Sequence, residues 1–130
     1  MPNRRSERGA EAVEFALLVP LLMLLLLGIM EFALAFVAQA SLAGAARLGV
    51  RNYVINYDSP GAEANAIALA TAATPVPANV ASAAFSNPCA PSKTTTLTIT
   101  YRYQTMTGIF DGILGGQITV TGVGSMQCGG

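Results

Sequence analysis

The chain has 130 residues and a formal net charge of zero; 11% of the residues are charged and 52% hydrophobic. It contains two cysteines, Cys89 and Cys128, and no histidine. Two thiols without an imidazole cannot supply the four Cys/His ligands of a structural zinc site, and a thiol nucleophile would lack its usual histidine base. No basic cluster lies beyond Arg51, so there is no electrostatic footprint for nucleic acid. No metal, cofactor or catalytic residue is expected.

The first predicted element is a long helix. From Phe15 to Met30 the chain runs sixteen residues without a charge, eight of them leucine, and apolar character resumes from Phe32 to Ala38. At about 1.5 Å per residue the uncharged core reaches roughly 24 Å, and with its flanking turns it meets the ~30 Å hydrocarbon thickness of a bilayer. A carboxylate at the centre of a span costs about 2.5 to 3.5 kcal/mol, so Glu14 and Glu31 belong near the two interfaces. The flank MPNRRSERG carries Arg4, Arg5 and Arg8 against Glu7, which predicts a cytoplasmic N-terminus and an extracytoplasmic C-terminal domain. Pro20 lies inside the run and removes the hydrogen bond to the carbonyl of Ala16, which predicts a kink or a loosened turn.

Strong helix formers continue without a proline through FALAFVAQASLAGAARLGVRNYV, which predicts that the helix persists to about Tyr53. Small residues Gly28, Ala35, Ala38, Gly44, Ala45 and Ala46 would admit a second helix at close range; the plainer reading is that alanine simply favours helix. A second helix is predicted from about Pro60 to Ala73, with Ser59 as its cap, Pro60 in its first turn and Glu63 near its positive end. It is nearly all alanine, with Ile67 and Leu69 its only bulky apolar residues.

Residues 94 to 105 alternate: Leu97, Ile99, Tyr101 and Tyr103 face one way, Thr96, Thr98, Thr100 and Arg102 the other, which predicts a half-buried strand. Residues 117 to 127 repeat the pattern more weakly, with Ile118, Val120 and Met126 on one side, and VASAAF at 80 to 85 is a third candidate. If the two stronger strands pair antiparallel through GIFDGILGG, Cys89 before one meets Cys128 after the other. A disulfide in an oxidising compartment is preferred to two free thiols, and closing a loop of about 40 residues contributes on the order of 3 to 4 kcal/mol to a small domain. The connecting loop carries Ile109, Phe110, Ile113 and Leu114 around Asp111, either covering the sheet or offering an apolar contact. The expected fold is α+β: a leader at 1–9, a transmembrane and protruding helix at 10–53, and at 54–130 a small domain with a short helix and an antiparallel sheet of two to three strands.

Two processing signals compete at the N-terminus. A secretory signal peptide would use the same basic start and apolar run, with Ala38 and Ala40 as its cleavage site, but the run is long for one and Glu7, Glu11, Glu14 and Glu31 are unwelcome in it. The other signal is the spacing of Gly9, Ala10, Glu14 and Phe15, which looks like a type IV prepilin-like leader. Taken with the internal proline, GIMEF at 28–32 and AARLGVR at 45–51, it resembles the TadE-like proteins, minor pseudopilins of the tight adherence (Tad/Flp) pilus assembly system. The resemblance covers about residues 8 to 51.

It implies a single-pass protein of the bacterial inner membrane, cut after Gly9 by a prepilin peptidase to expose the amine of Ala10. Glu14 and Phe15 would guide helix docking, with Glu14 pairing with the Ala10 amine of a neighbouring subunit; at about 4 Å and an effective dielectric of 20 such a pair gains roughly 4 kcal/mol. Partners would be membrane lipid, other pilin-like subunits and pilus assembly membrane proteins. Glu31 is either solvated at the outer interface or a docking residue paired with Arg47 or Arg51 of an adjacent subunit. The competing function is a membrane-anchored or secreted extracytoplasmic binding module unrelated to pili. An enzyme is not expected: the outer domain offers only Asp58, Glu63 and Asp111 as acids, and the first two read as helix N-terminal charges.

Overall fold

The computed structural model describes residues 4–108, 112, 115 and 117–129. The apolar loop residues Ile109, Phe110, Asp111, Ile113 and Leu114 lie outside the described residues. In chain order the elements are helix α1 (Arg4–Asn56), helix α2 (Ala62–Ala72), a short 3-10 turn (Pro77–Asn79) and strands β1 (Val80–Phe85), β2 (Thr94–Tyr103) and β3 (Ile118–Gln127). The architecture is α+β, as the sequence predicts, with all three strands present in one antiparallel sheet ordered β1-β2-β3. The chain divides into two compact units, 1–34 and 35–130, with the division falling inside α1.

In the first unit α1 is apolar all round. Phe15, Leu17, Leu18 and Met23, which point in different directions around the helix, are 69%, 73%, 55% and 57% exposed, so no side of this segment is a core face. Its most apolar 18-residue window has a mean hydropathy of 2.6 and none of it is buried inside the protein. The helix is continuous through Pro20, whose missing N–H leaves the Ala16 carbonyl without its usual intrahelical donor.

In the second unit α1 changes character. Ala38, Leu42, Ala45, Ala46, Val50 and Tyr53 are buried, at spacings that keep one stripe of a 3.6-residue period on the same side. The stripe lies on the sheet face formed by Leu97, Ile99, Tyr101 and Tyr103, all buried, while Thr98 and Arg102 of β2 alternate outward. Three of the small residues that could have received a foreign helix, Ala38, Ala45 and Ala46, are thus used on the chain's own sheet. Gly44 is exposed.

Two glycines set how closely the layers approach. A Cβ added at Gly122 would fall within the backbone of Leu42, and one added at Gly124 would lie 2.6 Å from the carbonyl carbon of Ala46. From Leu42 to Ala46 the helix advances about 6 Å, and from Gly122 to Gly124 the strand advances about 6.8 Å, so α1 runs parallel to β3. Gly49 repeats the device toward α2, where an added Cβ would lie 2.7 Å from the Ala70 Cβ and 2.6 Å from Leu97 Cδ2. The alanine-rich α2 buries Ala62, Ala66 and Ala70 there.

Two sequence expectations are corrected. Ser59 does not cap α2: the N-cap is Gly61 in the left-handed region (φ 77°), with no side-chain cap, and the Ser59 carbonyl accepts from the Ala62 N–H at 3.2 Å. Pro60 therefore sits in the preceding turn, and the tight reversal from Asn56 requires a residue tolerant of positive φ at 61. Met126 is 37% exposed, and the core positions at that end of β3 are Gly122 and Gly124.

The glycine contacts generate opposed predictions. Gly124→Ala forces a methyl against the Ala46 backbone and should destabilise the second unit by about 1 to 3 kcal/mol. Gly44→Ala, in open space within a helix, should stabilise it by about 0.5 to 1 kcal/mol. Denaturant unfolding of the detergent-solubilised chain followed by near-ultraviolet circular dichroism reads both; equal effects of the two substitutions would count against the close helix–sheet approach.

Candidate functional site

Gly9, Ala10, Glu11, Glu14 and Phe15 all lie on α1 and are exposed. A Cβ at Gly9 would meet nothing within 4 Å, and Gly9 is not among the residues with positive φ. Glycine in a helix interior costs roughly 0.5 to 1 kcal/mol relative to alanine. Nothing among the described residues therefore requires glycine at this position, and four residues, Ala10 to Val13, separate it from Glu14. One turn beyond, Phe15, Leu18, Val19, Leu21, Leu22 and Leu25 line a shallow groove along the helix surface with almost no polar atoms. Such a surface suits acyl chains or another apolar helix.

Glu31 is 5% exposed and makes a polar or electrostatic interaction. The reading of its carboxylate as simply solvated does not hold. Arg47 and Arg51, one helical turn apart, are both exposed. Around Arg51, Leu48, Asn52, Ile55 and Leu69 form a shallow depression between α1 and α2.

Cys89 and Cys128 form a disulfide with their Cα atoms 5.7 Å apart. The register explains the pairing: Thr94, the first residue of β2, faces Gln127, the last of β3, so the chain segments just outside the ladder converge. The Cys128 N–H donates to the Lys93 carbonyl at 2.8 Å and closes the ladder. A contact not anticipated from the sequence ties the bridge to the helix: the Cys89 N–H donates to the Tyr53 hydroxyl at 3.2 Å, and the Tyr53 ring packs on Phe85 with centroids 4.5 Å apart. The signal for it was Tyr53 extending the buried α1 stripe three residues past Val50. Among the described residues no three His, Cys, Asp or Glu side chains gather as a metal site would require.

Among the described residues one helix is long and apolar enough to cross a membrane, and it is followed by a disulfide-bridged α+β unit, an arrangement consistent with a membrane-anchored protein. Residues 9–51, about a third of the chain, match the family model for TadE-like protein. This N-terminal segment is TadE-like, in agreement with the resemblance read from its motifs, and it associates the chain with the Tad pilus. No curated protein and no solved structure matches the chain.

Two measurements test the bridge. Cys128→Ser should lower stability by about 3 to 4 kcal/mol, the loop-closure contribution for 39 residues of separation. Tyr53→Phe, which keeps the ring and removes the hydroxyl, should cost only about 0.5 to 1.5 kcal/mol and leave the disulfide formed, as alkylation and intact mass would show.

Proposed function

We propose that this chain is a minor pseudopilin, a structural component of Tad/Flp pilus biogenesis and adherence held in the bacterial inner membrane by α1 with its N-terminus in the cytoplasm. A prepilin peptidase cuts after Gly9, and the mature helix docks beside other pilin-like helices with Glu14 facing the new amine of a neighbouring Ala10. The observation that carries this reading is where Gly9 stands: it has no packing or conformational role in its own fold, and unlike Gly44, which is equally open, it lies just ahead of Glu14 at the head of the apolar run. The all-round apolar surface at 15–30 supports insertion, and the family match over 9–51 supports the pilus setting. Arg47 and Arg51 are exposed and suit contacts with a neighbouring subunit.

The proposed role is assembly rather than catalysis. Asp58 and Glu63 flank the start of α2, where their charge complements the helix N-terminus, and no imidazole is available as a base.

The test is the intact mass of the membrane-bound chain in cells with and without the prepilin peptidase. The chain should lose residues 1–9 only when the peptidase is present, and Gly9→Val should block the loss. Cleavage after Ala40, or an uncut chain in every background, would overturn the proposal and favour a secreted or merely anchored module. In the same cells Glu14→Ala should leave cleavage intact while reducing co-purification with pilin-like subunits, by up to about a thousandfold in affinity if the full pair energy of roughly 4 kcal/mol is lost.

A further inference from the structure

Within the second unit, α1 keeps one stripe turned away from the sheet. Arg47 and Arg51 stand on it one turn apart, about 6 Å along the axis, and both are exposed. No hydrogen bond or ion pair engages either guanidinium among the described residues. Leu48 and Ile55 neighbour Arg51 on the same helix and are 43% and 67% exposed, while Leu69 of α2, 39% exposed, closes the far side. With the half-buried Asn52 these residues line a depression of about 210 Å³.

A cation set among uncovered aliphatic side chains suits an anion that brings an apolar group of its own. Guanidinium and carboxylate match through two parallel N–H donors, and an apolar rim that excludes water strengthens the pair. The chain's own acids in this unit do not fill the role. Glu63 lies six residues from Leu69 on α2, about 120° around that helix. Asp58 and Glu63 are on opposite sides of the Gly61 turn rather than one helical turn apart on one face, and Asp111 lies outside the described residues. An anionic membrane is a poorer match, because lipid surfaces recruit clusters of about four to eight Lys or Arg, and only two stand here.

The geometry points to the Arg51 depression as a docking site for an acidic segment of another polypeptide, one whose two carboxylates, about 6 Å apart, stand beside a bulky aliphatic side chain. The aliphatic group enters between Leu48, Ile55 and Leu69. The carboxylates meet Arg51 and Arg47, and the Asn52 amide supplies a further donor. This deepens the subunit contact proposed above for the two arginines, and it rests on that reading for the setting in which the partner is met.

The test uses the full chain in nanodiscs of uncharged lipid and two end-blocked peptides of equal composition and charge. In ELAAELAAELAAELAA, folded as a helix, each leucine lies beside the glutamate stripe; in EALAEALAEALAEALA it lies nearly opposite. The first peptide should shift the arginine side-chain nitrogen signals of Arg47 and Arg51 saturably, and the second should bind about tenfold more weakly. Arg51→Gln should weaken the first peptide about tenfold and Leu69→Ala about threefold, and raising the salt should weaken it further. Three results would each overturn the inference: no shift at millimolar peptide, equal binding of the two peptides, or undiminished binding to Arg51→Gln. Saturable binding of short-chain phosphatidylglycerol without binding of the peptide would overturn it in favour of a lipid. Self-association without peptide that is lost in Arg51→Gln would overturn it in favour of a second copy. The two proposals fail separately: peptide binding by a chain that no peptidase cuts would remove the pilus setting and keep the site, whereas normal cleavage without peptide binding would do the reverse.

Discussion

The second unit rests on one close approach. Helix α1 lies on the sheet with Leu42 and Ala46 directly over Gly122 and Gly124, nearer than any side chain would allow. Glycine weakens a strand by giving up side-chain packing and adding backbone entropy to the unfolded chain. Here the loss is offset, because removing two side chains lets the fully buried Leu42, Val50, Leu97 and Ile99 meet in one thin layer. Burying each such side chain contributes on the order of 1.5 to 3 kcal/mol, so the approach decides whether a core exists at all.

The same economy appears twice more. Gly49 seats Ala66 and Ala70, which allows a helix with almost no bulky side chains to pack. At the far end the Tyr53 ring packs on Phe85, and its hydroxyl receives the Cys89 N–H, so the bridge that closes the β2 and β3 ends is also tied to the helix. A domain this small, with a core built largely from alanine, draws a large share of its stability from such a staple.

The first unit obeys a different rule. Its leucines are exposed in every direction, which water would penalise and lipid or neighbouring helices would not. Within it Gly9 carries a local cost that the fold does not recover. In this it differs from Gly122 and Gly124, whose cost is recovered in packing, and is like Gly44, which also faces open space.

Much of this was legible in the sequence because it is written as period or spacing. The leucine run declares its length, β2 declares its faces through strict alternation, and the positions of Cys89 and Cys128 relative to the two strands followed once those strands were read. The GxxxxEF, GIMEF and AARLGVR pieces sufficed for the family resemblance. What the sequence left open depends on what lies across a gap. A glycine has no side chain to show which layer it faces, so Gly122 and Gly124 read as interruptions of β3 until α1 is seen above them. Ala38, Ala45 and Ala46 read equally well as a docking stripe for a foreign helix, and only the tertiary structure assigned them to the chain's own sheet. Glu31 read either as solvated at the interface or as paired across subunits, because sequence shows only its neighbours along the helix, whereas burial is set by neighbours in space. Local pattern fixes which elements form; which faces meet, and how near, is decided by long-range packing that no single segment encodes.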